Sequence, residues 1–222
     1  MKKIFNRLLN KPNWHNLRNL KPVSSVFGLD RGTPIDRIYI EDFLNKNKIC
    51  IQGVVCEIGE DIYSKKFGSN IKKVEILHYT NDNPKATIIG DLVNVSTLPK
   101  NKIDCFILTQ TLNFIYDFKS AIKGIYYMLK SEGVALVTVA GISQISRYDM
   151  DRWGDYWRFT DLSMKKSFEE VFGIGNVEIE TYGNVLAATA FLQGICAEEL
   201  TKKELFYQDK DYQVTIAIKA KK

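Results

Sequence analysis

The sequence predicts a single α/β domain built on a mostly parallel sheet. Three observations carry this reading. The chain has 222 residues, enough for one well-buried core and too few for two comfortable ones. Short apolar runs alternate with stretches of helical periodicity, the pattern of strands joined by crossover helices. One run, Val134, Ala135, Leu136, Val137, Thr138 and Val139, shows no alternation, as expected of a strand covered on both faces.

Composition narrows the function classes. Hydrophobic residues at 45% and charged residues at 26% are ordinary for a soluble globular protein. The net charge of +5 is localised: Lys2, Lys3, Arg7, Lys11, Arg18 and Lys21 all precede Asp30, the first acid. The remainder carries 25 basic against 26 acidic residues, so a nucleic-acid partner is not expected, because phosphate binding needs a basic surface. Residues 1–26 form a basic N-terminal arm and residues 27–222 the folded domain. The arm offers a peripheral contact to an acidic membrane surface, although a solvated tail is the plainer reading. Cys50, Cys56, Cys105 and Cys196 show no CxxC spacing and lie in apolar surroundings, as reduced cysteines of a cytoplasmic protein do. Two well-separated histidines give no metal site.

The first helix is expected to begin with Thr33 as N-cap, Pro34 as first helical residue and Asp36 facing the helix dipole. Ile35, Ile38, Tyr39 and Phe43 would form its buried face. The first strand follows at 53–58, the second at 74–78 and the third at 86–91. The link between the latter two, residues 79–85, is too short for a crossover helix. Either it has collapsed to a loop or the pairing differs. Residues 103–109 form a fourth strand. Asp117 caps the next helix, whose stripe runs through Phe118, Ala121, Ile122, Ile125, Tyr126 and Leu129, and Gly133 is expected to stop it. A fifth strand at 134–139, a helix at 162–172, a sixth strand at 177–182 and a seventh at 212–219 complete the order. Residues 185–197 carry no charge, and read as a buried helix or a homodimer interface.

The organising stretch is Val54-Val55-Cys56-Glu57-Ile58-Gly59-Glu60-Asp61. It is an apolar strand ending in a glycine turn, where a ligand settles at the carboxyl edge of a parallel sheet. Together with the element order, this stretch resembles the class I S-adenosylmethionine-dependent methyltransferases. The resemblance implies a Rossmann-like, seven-stranded, mostly parallel sheet with the last strand antiparallel and helices on both faces. It implies S-adenosyl-L-methionine as cofactor. Glu57-Ile58-Gly59 resembles the start of the family's glycine loop, Gly90-Asp91 the adenine-binding segment, and Gln110-Thr111-Leu112 the loop beneath the transferring methyl. Cofactor contacts are thus expected at Glu57, Gly59, His78, Asp91 and Gln110, with Arg37 and Tyr39 on the capping helix. Two positions depart from the pattern. Asp61 and Tyr63 replace the later glycines, and His78 stands where an acid would bond both ribose hydroxyls; a neutral imidazole accepts only one hydrogen bond.

Residues 141–160, after the fifth strand, interleave aromatic and charged side chains. Arg147, Tyr148, Arg152, Trp153, Tyr156, Trp157 and Arg158 suit a sugar or other polyhydroxylated acceptor, through flat apolar faces and directional hydrogen bonds. The alternative is a lid whose charges pair with one another. Asp149, Asp151 and Asp155 are candidate general bases for a hydroxyl acceptor. The Asp151-Arg152-Trp153-Gly154-Asp155-Tyr156-Trp157-Arg158 run, with Phe27-Gly28 and Gly32-Thr33-Pro34, resembles bacterial methyltransferase-like domains linked to glycosyltransferases and surface-glycan assembly. The expected function is methyl transfer to a small polar acceptor, a sugar or glycan precursor. A catalytically silent module that binds a partner enzyme is the competing reading.

Overall fold

The computed structural model describes residues 18–222, so most of the basic arm, and the membrane contact expected of it, lies outside the described residues. The described chain is tied to the body from Ser24, whose amide donates to the Gln193 carbonyl at 3.0 Å.

Seven strands form one sheet: β1 (Gly53–Ile58), β2 (Ile71–His78), β3 (Ile88–Ile89), β4 (Ile103–Thr109), β5 (Leu129–Ala140), β6 (Val177–Tyr182) and β7 (Thr215–Lys221). Their order is β3-β2-β1-β4-β5-β7-β6. The first five are parallel, and β7 runs antiparallel between β5 and β6. The 79–85 crossover has collapsed to a loop, leaving β3 two residues long beside β2.

Helices cover both faces. On one face lie α3 (Phe118–Met128) and α5 (Asp161–Phe172); Ala121, Ile122, Ile125, Phe168 and Phe172 pack there on Phe106, Val137 and Ile216. On the other lie α1 (Ile35–Lys46), α2 (Ile62–Phe67), α6 (Val185–Gln193) and α7 (Lys202–Phe206), with Tyr39, Leu44 and Phe191 against Val55, Ile107 and Leu136. A short helix, α4 (Arg147–Met150), sits in the loop after β5. Cys56, Cys105 and Cys196 are buried, and all four cysteines are free. Among the described residues no helix is long and apolar enough to cross a membrane.

Local differences from expectation have identifiable causes. Thr33 does not cap α1: its hydroxyl and amide both donate to the Glu198 carboxylate, at 2.6 and 2.9 Å. Pro34 takes the cap position and no side chain caps the helix. Gly133 does not stop α3, which ends at Met128 because Leu129 already pairs with Ile103 of β4. Alternation along β7 breaks down as well. Thr215 and Ala217, between Val214, Ile216 and Ile218, are equally buried, since a strand inside the sheet is covered on both faces. In α6, Ala187, Ala188 and Phe191 are buried while Val185, Leu186 and Leu192 are exposed; one face only is core.

Candidate functional site

Four parallel strands end along one edge, and the sequence places a distinctive residue at each end. Gly59 follows β1 with φ +73°, and a Cβ built there would meet no protein atom within 4 Å. The space a side chain would fill is therefore open, in a conformation that L side chains adopt only with strain. His78 ends β2, Asp91 follows β3, and Gln110 follows β4 with φ +47°. A left-handed glutamine is uncommon, and such positions concentrate at ligand sites.

Glu57 serves the architecture beneath this edge. Its buried carboxylate accepts the Tyr63 amide at 3.1 Å and the Ser64 amide, filling the first turn of α2. Burial pushes its pKa up, and those donors offset only part of the rise. A carboxylate so engaged braces the Gly59 loop from beneath. Tyr39 is also removed from the expected cofactor contacts. It is fully buried, donates to the Leu205 carbonyl at 2.8 Å and stacks on Tyr182 with ring centres 5.2 Å apart. Arg37, on the same helix, is exposed and has no ion pair among the described residues. Asp91 accepts the Val93 amide through one oxygen at 2.9 Å. The His78 Nδ1 lies 3.0 Å from the Thr80 carbonyl, and Asn83 donates to the Gly59 carbonyl at 2.7 Å.

Beside Gln110, toward β5, a pocket of about 160 Å³ opens. Its walls include Phe27, Asp36, Gln110, Asn113, Phe114, Ala140, Ser146, Asp149, Asp155, Arg158 and Phe191. Asn113 is its hub. The buried side chain accepts the Ala140 amide and donates to Gln110, each at 3.3 Å, while its carbonyl receives the Tyr156 amide at 2.9 Å. One asparagine thus couples β4, β5 and the 141–160 loop.

That loop is largely self-satisfied. The Asp155 side chain is 1% exposed and paired with Arg158 at 2.5 Å. Burial raises its pKa, but Arg158 and the Ser146 amide outweigh this and hold the carboxyl below its ordinary value. Asp155 is accordingly a structural anion. Asp151 is exposed, 3.6 Å from Arg147 and absent from the pocket wall. Asp149 does line the pocket, with one oxygen on the Ser146 hydroxyl at 2.5 Å. The Arg152 guanidinium lies 3.4 Å over the Tyr148 ring. Tyr156 and Trp157 pack on Tyr116, and Trp157 also on Phe118. Of the seven expected acceptor contacts, Arg158 alone reaches the pocket. Trp153 instead sits edge-on to His78 and Tyr79, 6.2 Å from each, so the loop crosses the strand ends from β5 to β2.

The sequence reading passed over Asp36 and Asn113. Asp36 lines the pocket from the first turn of α1 and has no ion pair or side-chain hydrogen bond among the described residues. Burial pushes its carboxyl up to about 6, with the Arg37 amide and charge opposing. Its position after Pro34 suggested a dipole partner and gave no hint of a pocket.

Known structures share this architecture. A SAM-dependent methyltransferase from Archaeoglobus fulgidus superposes with a TM-score of 0.54 at 14% identity, covering 84% of this chain and 94% of that one. This is the class I methyltransferase fold. A Thermotoga maritima methyltransferase described as a possible histamine N-methyltransferase gives a TM-score of 0.53 at 15% identity, with both chains wholly covered. The [4+2]-cyclase SpnF gives 0.54 at 14% identity, covering 86% and 84%. No protein-family model matches the sequence, and no curated protein matches it either. One fold here accommodates methyltransferases and a cyclase, so chemistry must be argued from the site.

Proposed function

We propose that this protein is an S-adenosylmethionine-dependent methyltransferase acting on a small polar acceptor in the Gln110 pocket. The observation that carries the reading is the bare, left-handed Gly59 at the end of β1, on the same edge as that pocket. β1 and β4 are adjacent parallel strands, so the ends bearing Gly59 and Gln110 are neighbours. The residues fit the cofactor in kind: open space beside the Gly59 turn for its methionine part and an acid at Asp91 for its adenine. Bound there, S-adenosylmethionine would supply a methyl group on a positively charged sulfur. The protein's part is to align an acceptor atom with that carbon, to exclude water and to receive a proton. Trp153 stands edge-on to His78 at the strand ends, and Asp36 and Asp149 stand in the pocket as proton acceptors.

A sugar or glycan precursor as acceptor rests on the aromatic and charged loop, which mostly packs on itself. The homodimer reading rests on Val185, Leu186 and Leu192 on the outer face of α6. A silent binding module is the second reading, favoured by His78 at the ribose position and by Asn83 clasping Gly59.

Calorimetric titration with S-adenosylmethionine and S-adenosylhomocysteine separates them. Micromolar affinity, about −8 kcal/mol, lost in Gly59→Arg and weakened at least tenfold in Asp91→Ala, is the expected result. Absence of binding at millimolar cofactor would overturn the enzyme reading in favour of the module.

A further inference from the structure

The Gln110 pocket has an unbalanced charge. Its ionisable lining residues are Asp36, Asp149, Asp155 and Arg158. Arg158 and Asp155 neutralise each other, which leaves two more carboxylates and no free cation among the described residues of the wall. Asp149 is partly satisfied by Ser146. Asp36 is half-buried and has no side-chain hydrogen bond or ion pair among the described residues, with only the amide and charge of its chain neighbour Arg37 opposing the effect of burial, and a carboxylate partly withdrawn from water without a close counter-ion is costly. Phe27, Phe114 and Phe191 stand on the same wall, and aromatic faces attract cations.

We propose that the acceptor is a small organic amine, held as its ammonium ion against Asp36, which then takes the proton that frees the nitrogen for methylation. This deepens the methyl-transfer reading and rests on it. A cation supplies the charge that Asp36 lacks, an anionic acceptor is repelled, and a neutral hydroxyl leaves the carboxylate uncompensated. An ammonium nitrogen has no lone pair to donate, so the proton must leave first. It passes to the Asp36 carboxylate. The nitrogen lone pair then forms the carbon–nitrogen bond as the carbon–sulfur bond breaks, and sulfur keeps that bonding pair. The positive charge moves from sulfur to the methylated nitrogen, and Asp36 returns its proton to solvent. Burial suits Asp36 to this by lifting its carboxyl to about 6, within reach of working pH.

Benzylamine and benzyl alcohol, nearly equal in shape and different in charge, test the pocket by calorimetry on the full chain without cofactor. Benzylamine should bind at least tenfold more tightly, and Asp36→Asn should bring the two to parity while circular dichroism stays unchanged. Equal binding in the wild type, no binding of either at millimolar concentration, or a preference that survives Asp36→Asn would each overturn the proposal. The wild-type contrast decides the charge preference even if the variant fails to fold. A parallel S-adenosylhomocysteine titration separates the two levels. Cofactor binding without amine preference sinks the amine alone. Amine preference without cofactor binding leaves a cation pocket and sinks methyl transfer.

Discussion

Asp36 is the residue whose chemistry most depends on its surroundings. Its carboxyl is lifted from an ordinary 3.8 to about 6 by burial, so folding favours the protonated form. The stability this contributes is complete below about pH 3.8 and is lost as pH rises through about 6. Asp36→Asn, neutral throughout, should therefore stabilise the protein by ~1–2 kcal/mol near pH 8 and change little near pH 4. Urea denaturation at both values checks this, and an equal effect at both would remove the unpaired charge from the argument. Stability surrendered at a pocket wall is a mark of functional sites. Gly59 differs in kind: its backbone conformation, not a charge, is its contribution, and any side chain there meets open space but strained φ.

At the scale of elements, the 141–160 loop acts as a braced lid. Arg158 joins Asp155 to the Ser143 and Gln144 carbonyls, and Asn113 anchors the next residues to β4 and β5. Arg158→Met would leave Asp155 buried and unpaired, a change that costs about 3–5 kcal/mol in comparable sites. Urea denaturation should show a large loss, with new proteolytic cleavage inside the loop; a loss below ~1 kcal/mol would mean that the brace is dispensable. The sequence displayed the loop's aromatics and charges plainly but not their partners. Spacing shows that Arg158 and Asp155 are close along the chain. It does not show that Asp151 points away or that Trp157 packs on Tyr116 and Phe118, because those outcomes depend on residues distant in sequence.

Across the whole molecule the two ends of the sheet divide their tasks. At the amino edge, the Asp104 carboxylate accepts the Val54 amide at 2.7 Å and the Lys130 ammonium at 2.8 Å, joining β1, β4 and β5. Burial pushes the Asp104 pKa up, but Lys130 and Val54 outweigh it and leave the group below its ordinary value. This stabilisation is present above the unfolded carboxyl pKa and fades as pH falls through the lower folded one. Gly53 lies beside it with φ +70°, and a Cβ there would come within 2.6 Å of an Asp104 oxygen. Asp104→Asn should cost ~1–2 kcal/mol in urea denaturation and leave S-adenosylhomocysteine affinity unchanged by calorimetry. Loss of affinity with stability would contradict the division. The carboxyl edge, by contrast, holds Gly59, the left-handed Gln110 and Asp91, as open α/β sheets place their ligands.

By itself the sequence determined the α/β class, the bounds of β1, β4 and β6, and the strand covered on both faces. These follow from period and burial, which are local properties of the chain. It also marked Gly59, since a strand running into glycine is visible without a fold. Tertiary structure alone decided which acids share a pocket. Asp149 and Asp155 come from one loop and Asp36 from a helix that precedes β1, and only the packing of α1 on the sheet brings them together. It also decided their surroundings: Arg158 holds the Asp155 carboxyl below its ordinary value, the Ser146 hydroxyl donates to Asp149, and burial lifts the Asp36 carboxyl with only Arg37 opposing.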